Sequence, residues 1–233
     1  MDTASQLWQT AWSERTEPQH RFRSLVRMPI IAIVSQKGGS GKTTLALHLA
    51  TCAAYKKQQT CVIDTDPQAT AAAWGDWRGD FLPAVVTSPP ARLARTIDKA
   101  QKGGVDLVVI DTPPHAEAAM REAIKAADLV LIPTRPRAFD LHALEGIADM
   151  VSYAGKPAFV VLNGVPANAT RMVEDAKAQA KELGLETCPV TFGERAHFHR
   201  SSASGEVAAE IDPAGKAAQE VEALWKWVKR QKL

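Results

Sequence analysis

Cysteine is scarce in this 233-residue chain: Cys52, Cys61 and Cys188 are odd in number and lack metal-ligand spacing. That usage excludes a disulfide-stapled secreted scaffold and fits small buried thiols in a reducing compartment. An excess of charge is also missing. The 28 basic and 26 acidic side chains leave a formal net charge of +2, too little for a strong field over the whole surface. Contact with nucleic acid would have to come from a local patch. No apolar run approaches the ~18 residues of a membrane span, and residues 1–28 lack the apolar core of a signal peptide. No fixed-period repeat and no Pro/Gly-rich linker divides the chain. The expectation is a soluble intracellular protein built as one domain.

What the chain does have is an ordinary globular apolar content of 45% and a regular alternation of patterns. Apolar runs at residues 30–35, 60–65, 84–87, 105–110, 128–133, 157–162 and 186–190 read as buried strands. Segments between them carry the 3.6-residue period, as in Leu45, Leu49 and Cys52 or Met172, Ala176 and Leu183. Runs such as Leu107-Val108-Val109-Ile110 fit strands covered on both faces. The predicted fold is α/β: a single domain with a mostly parallel, twisted sheet of about seven strands flanked by helices. Residues 29–233 form that domain. Residues 1–28 are a polar extension, either a flexible leader or a short helix over 4–13 that docks Trp8 and Trp12.

The stretch Lys37-Gly38-Gly39-Ser40-Gly41-Lys42-Thr43-Thr44 lies between the first strand and the helical pattern that begins at Leu45. Strand, glycine loop and helix start make a phosphate cradle, because converging backbone N–H groups and the helix N-terminus both favour an anion. Lys42 would reach the outer phosphates and the Thr43 hydroxyl would hold Mg²⁺. The strict form of this loop has Gly where this chain has Gln36, and it has gained a second lysine, Lys37, at its entrance.

Two acidic strand ends accompany the loop. In Asp64-Thr65-Asp66-Pro67-Gln68, carboxylates at i and i+2 point the same way, toward the crevice where open α/β sheets bind ligands. A capped strand-to-helix turn is the alternative reading. In Leu107-Val108-Val109-Ile110-Asp111-Thr112-Pro113-Pro114, Asp111 ends a strand where it could hold Mg²⁺ through a water. Farther on, Asp140 is placed to cap a helix over 141–153.

With K-G-G-x-G-K-T, D-x-D-P-Q and I-D-T-P-P together, residues 28–230 resemble the deviant Walker A ATPases of the ParA/MinD group. The closest likeness is to small ParA plasmid-partition ATPases that lack an N-terminal helix-turn-helix domain. The resemblance implies ATP and Mg²⁺ as ligands and an ATP-bound homodimer, in which Lys37 crosses to the partner's nucleotide. It makes Lys37, Lys42 and Asp66 the catalytic groups, with Asp66 orienting the attacking water and Gln68 beside it. Asp64 joins Thr43 and Asp111 around the metal, and Thr112 with its prolines starts switch II. Asn163, at the end of Val160-Val161-Leu162, is matched to the residue that hydrogen-bonds adenine, and Thr191-Phe192-Gly193 to the loop that closes over the base.

The same resemblance implies non-specific binding of double-stranded DNA, with Arg195, Arg200, Lys226, Lys229 and Arg230 as candidates. Solvated helix faces are the alternative for each. Such a protein is cytoplasmic and nucleoid-associated, and a ParB-like or small adaptor protein stimulates its hydrolysis. Two other readings remain. The last helix, with Val221, Leu224, Trp225 and Val228 on one stripe, could be a MinD-like membrane anchor, although its start directly after Pro213 favours core packing. The chain could also be a P-loop metabolic ligase, which has no need of Lys37. An iron–sulfur reading fails because neither Cys52 nor Cys61 follows the segment ending in Asp111.

Overall fold

The computed structural model describes residues 28–79, 81–201 and 204–231, so the expected helix at Trp8 and Trp12 lies outside the described residues. Each expected apolar run forms a strand, and all are parallel members of one sheet. They are β1 (Ile30–Ile33), β2 (Thr60–Asp64), β3 (Ala84–Thr87), β4 (Leu107–Asp111), β5 (Leu129–Thr134), β6 (Ala158–Leu162) and β7 (Glu186–Thr187), in the order β3-β2-β4-β1-β5-β6-β7. A side-chain period of two sorts their residues onto two faces. Ala32, Ile63, Val108, Ile110, Val130 and Val160 face one core, whereas Ile31, Ile33, Val62, Val109, Leu131 and Val161 face the other. Both faces are dry, as parallel sheets require.

The connections supply the cover. Helices α1 (Lys42–Tyr55) and α2 (Thr70–Arg78) pack on the face of Ile31 and Ile33 through Leu45, Leu49, Ala53 and Trp74. Helices α3 (Leu93–Lys102), α4 (Glu117–Ala126), α6 (Glu145–Ala154) and α7 (Thr170–Glu182) cover the opposite face through Leu93, Met120, Ile124, Ile147, Met150 and Ala176. Helix α5 (Ala138–His142) comes just before α6. The chain ends in α8 (Ala196–Ser201), α9 (Ala208–Ile211) and α10 (Lys216–Val228). Helix α10 lies along α1 and buries Ala217, Val221, Leu224, Trp225 and Val228, so its apolar stripe is core. Among the described residues, no helix is long and apolar enough to cross a membrane.

Several expected boundaries move, each for a local reason. The first strand stops at Ile33, because Val34 and Ser35 already turn into the glycine loop. The last ends at Thr187 instead of residue 190: it is an edge strand, and Pro189 has no N–H for the ladder. The single helix expected over 141–153 is two helices, and Asp140 is not its cap. Arg137 is the N-cap of α5, and the Asp140 N–H bonds the Arg137 carbonyl at 2.9 Å. Pro136 fixes the backbone just before that cap, so the helical turn starts ahead of Asp140. The Asp140 carboxylate instead meets the positive end of the helix from its first turn.

The sheet order sends the chain in opposite directions on either side of β1, with β4 and β5 as its neighbours. Open α/β sheets bind ligands at such a reversal, beyond the carboxyl ends of the strands. Register brings the acidic ends level there, with Asp64 directly opposite Asp111.

Candidate functional site

The glycine loop rises from β1 at this reversal and ends in α1. Gly39 and Gly41 have φ of +70° and +96°, a conformation that a side chain strongly disfavours. Gly41 is the N-cap of α1, so Lys42, Thr43 and Thr44 form its first turn, with N–H groups unclaimed by the helix. Lys42 is 6% exposed, and its ammonium donates to the Lys37 carbonyl at 3.0 Å. Burial pulls its pKa down while the Asp111 and Asp66 carboxylates pull it up. The Ser40 hydroxyl is buried without a partner.

Gln36, the departure from the strict loop, has a place of its own. Its side-chain amide reaches across to the first turn of α6, where a methyl group on Gly146 would lie 2.7 Å from Nε2. The glycine that α6 supplies leaves the space the glutamine occupies.

Three carboxylates stand on the β2–β4 side. Asp111 is 1% exposed; its Oδ2 accepts the Thr43 hydroxyl at 2.7 Å, and its Oδ1 is buried with no partner. Burial raises its pKa to about 7, the Thr43 hydrogen bond and Lys42 opposing the shift and Asp64 and Asp66 adding to it. An orphaned acceptor beside a helix-turn hydroxyl is what a hard, partly hydrated cation needs. Among the described residues, no three His, Cys, Asp or Glu side chains form a ready-made cage. A magnesium ion that keeps waters and phosphate ligands fits this pair.

Asp64 is occupied differently. Its Oδ1 accepts the Asp66 N–H at 2.9 Å, and its Oδ2 accepts the N–H groups of Ala71 and Ala72 at 3.0 and 3.2 Å. It therefore caps α2 and fixes the turn that carries Asp66. Both readings of D-x-D meet here, because Asp64 makes the turn and Asp66 is presented by it. Asp66 is half-buried, with Oδ1 accepting the Gln68 N–H at 2.9 Å. The Gln68 side chain itself is exposed. Thr65 and Thr112 tie the two acidic segments to β4 and β1 through hydroxyl bonds of 2.8 Å to Asp111 O and 2.9 Å to Ile33 O.

On the other side of the loop, a cavity of about 240 Å³ opens between Gly39, Gly41, Thr44, the ends of β5 and β6, and the segment 192–199. Of the segment matched to a base-closing loop, Phe192 and Gly193 line it and Thr191 does not; Asn163 lines it too. The Asn163 amide donates to the Ser40 carbonyl at 2.7 Å, which commits one donor to the loop itself. Sequence reasoning missed Arg135, Arg137, His48 and Phe198 at this cavity. The signal for Arg135 was its place directly after a strand end in a parallel sheet. For His48 it was a spacing of four from Thr44, whose carbonyl lies 2.7 Å from Nδ1. The His48 Nε2 accepts the Ala208 N–H at 3.0 Å, so the ring is neutral, with its proton on Nδ1.

The basic candidates scatter. Arg195 lines the cavity and grips Glu220 through Nε and Nη2 at 3.2 and 2.7 Å. Lys226 pairs with Glu222 at 3.2 Å, and the Lys229 ammonium lies 5.8 Å from the Trp225 ring centre. Arg200 and Arg230 are exposed.

A glycine loop on a helix N-terminus, with acids on one side and a cavity on the other, defines a P-loop nucleotide-binding domain. The family model described as "CobQ/CobB/MinD/ParA nucleotide binding domain" matches residues 31–207, and the chain belongs to that family as a P-loop ATPase of its ParA/MinD branch. It is 33% identical to the "Maintenance of carboxysome distribution protein A" of Gloeobacter kilaueensis, over 85% of this chain and 91% of that one. It is also 33% identical to "Protein ParA" of Rhizobium radiobacter, over 48% of this chain and 51% of that protein. Among solved structures, the septum site-determining protein MinD of Pyrococcus horikoshii, complexed with Mg-ADP, shares the fold. Its TM-score is 0.68 at 20% identity, covering 87% of this chain and 96% of that one.

Proposed function

We propose that this chain is a partition or positioning ATPase. Two ATP-bound subunits close face to face, the dimer holds duplex DNA without sequence preference, and hydrolysis speeded by an adaptor protein releases it. The observation that carries this reading is Lys37. Lys42 already serves its own loop, whereas among the described residues the Lys37 ammonium has no hydrogen-bond or ion-pair partner, and only its carbonyl is engaged. A cation at the loop entrance with no task in its own subunit is available to a nucleotide in the next.

The residues divide the work as follows. The backbone N–H groups of Gly38 to Thr44 and the Lys42 ammonium hold the phosphate chain. Thr43 and Asp111 would hold Mg²⁺, with Asp64 fixing the turn beside them. When bound there, the ion neutralises charge on the phosphoryl oxygens. Asp66, whose Oδ1 is steadied by the Gln68 N–H, keeps Oδ2 to accept a hydrogen bond from the attacking water. Catalysis is positioning and charge neutralisation, with Lys37 adding its charge from across the dimer. Asn163 and the Thr191-Phe192-Gly193 loop enclose the base. DNA contact falls to Arg200, Lys226, Lys229 and Arg230, with Arg195 contributing less because Glu220 balances it. Binding through phosphates weakens steeply with salt. One relative is named for the maintenance of carboxysome distribution, and the cytoplasm with its nucleoid is the location that fits this reading.

Size-exclusion chromatography and DNA mobility shifts with ADP, with ATP, and with Asp66→Ala in ATP test this directly. Dimers and salt-sensitive DNA binding should require ATP, and the Asp66→Ala protein should stay in that state without turnover. Normal hydrolysis by Asp66→Ala removes its assigned role. A monomer indifferent to nucleotide would instead favour a small-molecule ligase.

A further inference from the structure

The β5–β6 side of the loop holds a cation that the scheme above does not use. Arg135 follows β5 directly, is half-buried, and lies along the glycine turn. A methyl group on Gly39 would sit 3.7 Å from its Nη2, and one on Gly164 would sit 3.7 Å from its Cγ and Nε. The side chain thus spans from Gly164 to Gly39, over a loop whose N–H groups converge on an anion. Among the described residues its guanidinium has neither an ion pair nor a hydrogen bond. Glu194 lines the same cavity without pairing with it, and the neighbouring Arg195 is held by Glu220. A planar, permanently charged fork left unpaired on a phosphate cradle has one chemical complement nearby.

We propose that Arg135 is a further nucleotide-binding residue, closing its guanidinium over the phosphate chain of a nucleoside triphosphate from the β5–β6 side. The proposal rests on the nucleotide reading of the loop and adds to it a cation supplied in cis. The acids and the metal pair stand on the β4 side, so the two flanks of the loop treat the polyphosphate oppositely. One would neutralise it through a metal ion held by Thr43 and Asp111, and the other directly through Arg135.

Fluorescent ATP and ADP analogues report binding without turnover. With the full-length protein, Arg135→Ala should weaken the ATP analogue about tenfold and the ADP analogue less, since the loss scales with phosphate charge. The salt dependence of binding should become shallower, and the nucleotide-free melting temperature should not move. Arg135→Lys should recover part of the loss. Unchanged affinity in Arg135→Ala overturns the proposal. So does a loss that is equal for both nucleotides and accompanied by a lower melting temperature, which marks a structural role. If wild type binds no nucleotide, matching Lys42→Ala, the reading of the loop falls and this inference falls with it.

Discussion

The two flanks of the glycine loop are built by different kinds of sequence. On the β2–β4 flank, two short contiguous motifs supply Asp64, Asp66 and Asp111, and the Thr43 hydroxyl of α1 and backbone N–H groups of the following turn and of α2 hold the Asp111 and Asp64 carboxylates at 2.7 to 3.2 Å. On the β5–β7 flank, single residues from four separate segments assemble the cavity: His48, Arg135, Asn163 and Phe192. On the first flank, Asp64 and Asp66 are fixed by their own turn, and Asp111 by the Thr43 hydroxyl of the adjoining helix. The second depends on distant parts of the chain reaching their places together. Chemistry written into one turn survives local change, whereas a surface gathered from four segments is free to vary, and this is where specificity can differ within one fold.

The loop itself serves both flanks, and Lys42→Ala sharpens the comparison most. Removing the buried ammonium proposed above to hold the phosphates should reduce nucleotide affinity at least about a hundredfold, the scale of losing more than one charge-assisted hydrogen bond. The fold should persist, since burial already disfavours the charged form of Lys42. Isothermal titration with ADP and a melting curve check both halves of that statement. An affinity loss of less than tenfold would move the main anion contact away from Lys42.

One contact bolts the β5–β7 flank to the loop, and breaking it is the next largest effect. A methyl group on Gly41 would lie 2.1 Å from the Asn163 Nδ2, and the glycine φ of +96° disfavours any side chain. Gly41→Ala should therefore cost about 2–4 kcal/mol of stability, combining backbone strain with a displaced hydrogen bond. Adding Asn163→Ala should return about 1 kcal/mol, because it removes the clash and leaves only the strain. Chemical denaturation of the two single variants and the double variant measures that coupling. Strict additivity would show the β5–β7 flank and the loop to be mechanically independent.

How much of this was legible in the sequence follows the same division. Lys42, Thr43, Asp64, Asp66 and Asp111 are readable because strand, turn and helix follow one another within a few residues, and the strand ends of a parallel sheet all face one crevice. The seven strands were readable because both faces are buried, which makes their apolar runs continuous. The structural duty of Asp64 was half visible, since a turn cap and a metal-side acid look alike in sequence. The place of Gln36 was invisible, because the space it fills is created by Gly146, more than a hundred residues away. Asp140 was misjudged for a smaller reason: Pro136 starts the helix before the expected cap. Arg135 and Arg195 look alike as surface cations until the fold shows that Glu220 reaches only one of them.

The flanks also differ in where protons sit. Asp111 has a pKa raised from 3.8 to about 7, chiefly by burial, whereas His48 is lowered from 6.5 to about 4, chiefly by burial and against the pull of the Thr44 carbonyl and Glu210. Between about pH 4 and 6.5, the folded metal-free protein keeps a proton on Asp111 that the unfolded chain has lost, so this group makes stability fall as pH rises. Over the same range the unfolded chain protonates His48 while the folded one does not, so this group makes stability rise with pH. In wild type the two slopes oppose each other. Asp111→Asn removes the falling component and should leave stability climbing relative to wild type by up to about 1.4 kcal/mol per pH unit. His48→Gln should tilt the curve the other way. Urea denaturation in a chelating buffer at several pH values reads both variants against wild type, and the difference cancels every group they share. Parallel curves for Asp111→Asn and wild type would mean that Asp111 is already ionised in the folded protein. The Thr43 hydrogen bond and the Lys42 ammonium would then outweigh burial, and the contrast between an acid flank that holds its proton and a cavity flank that excludes one would be lost.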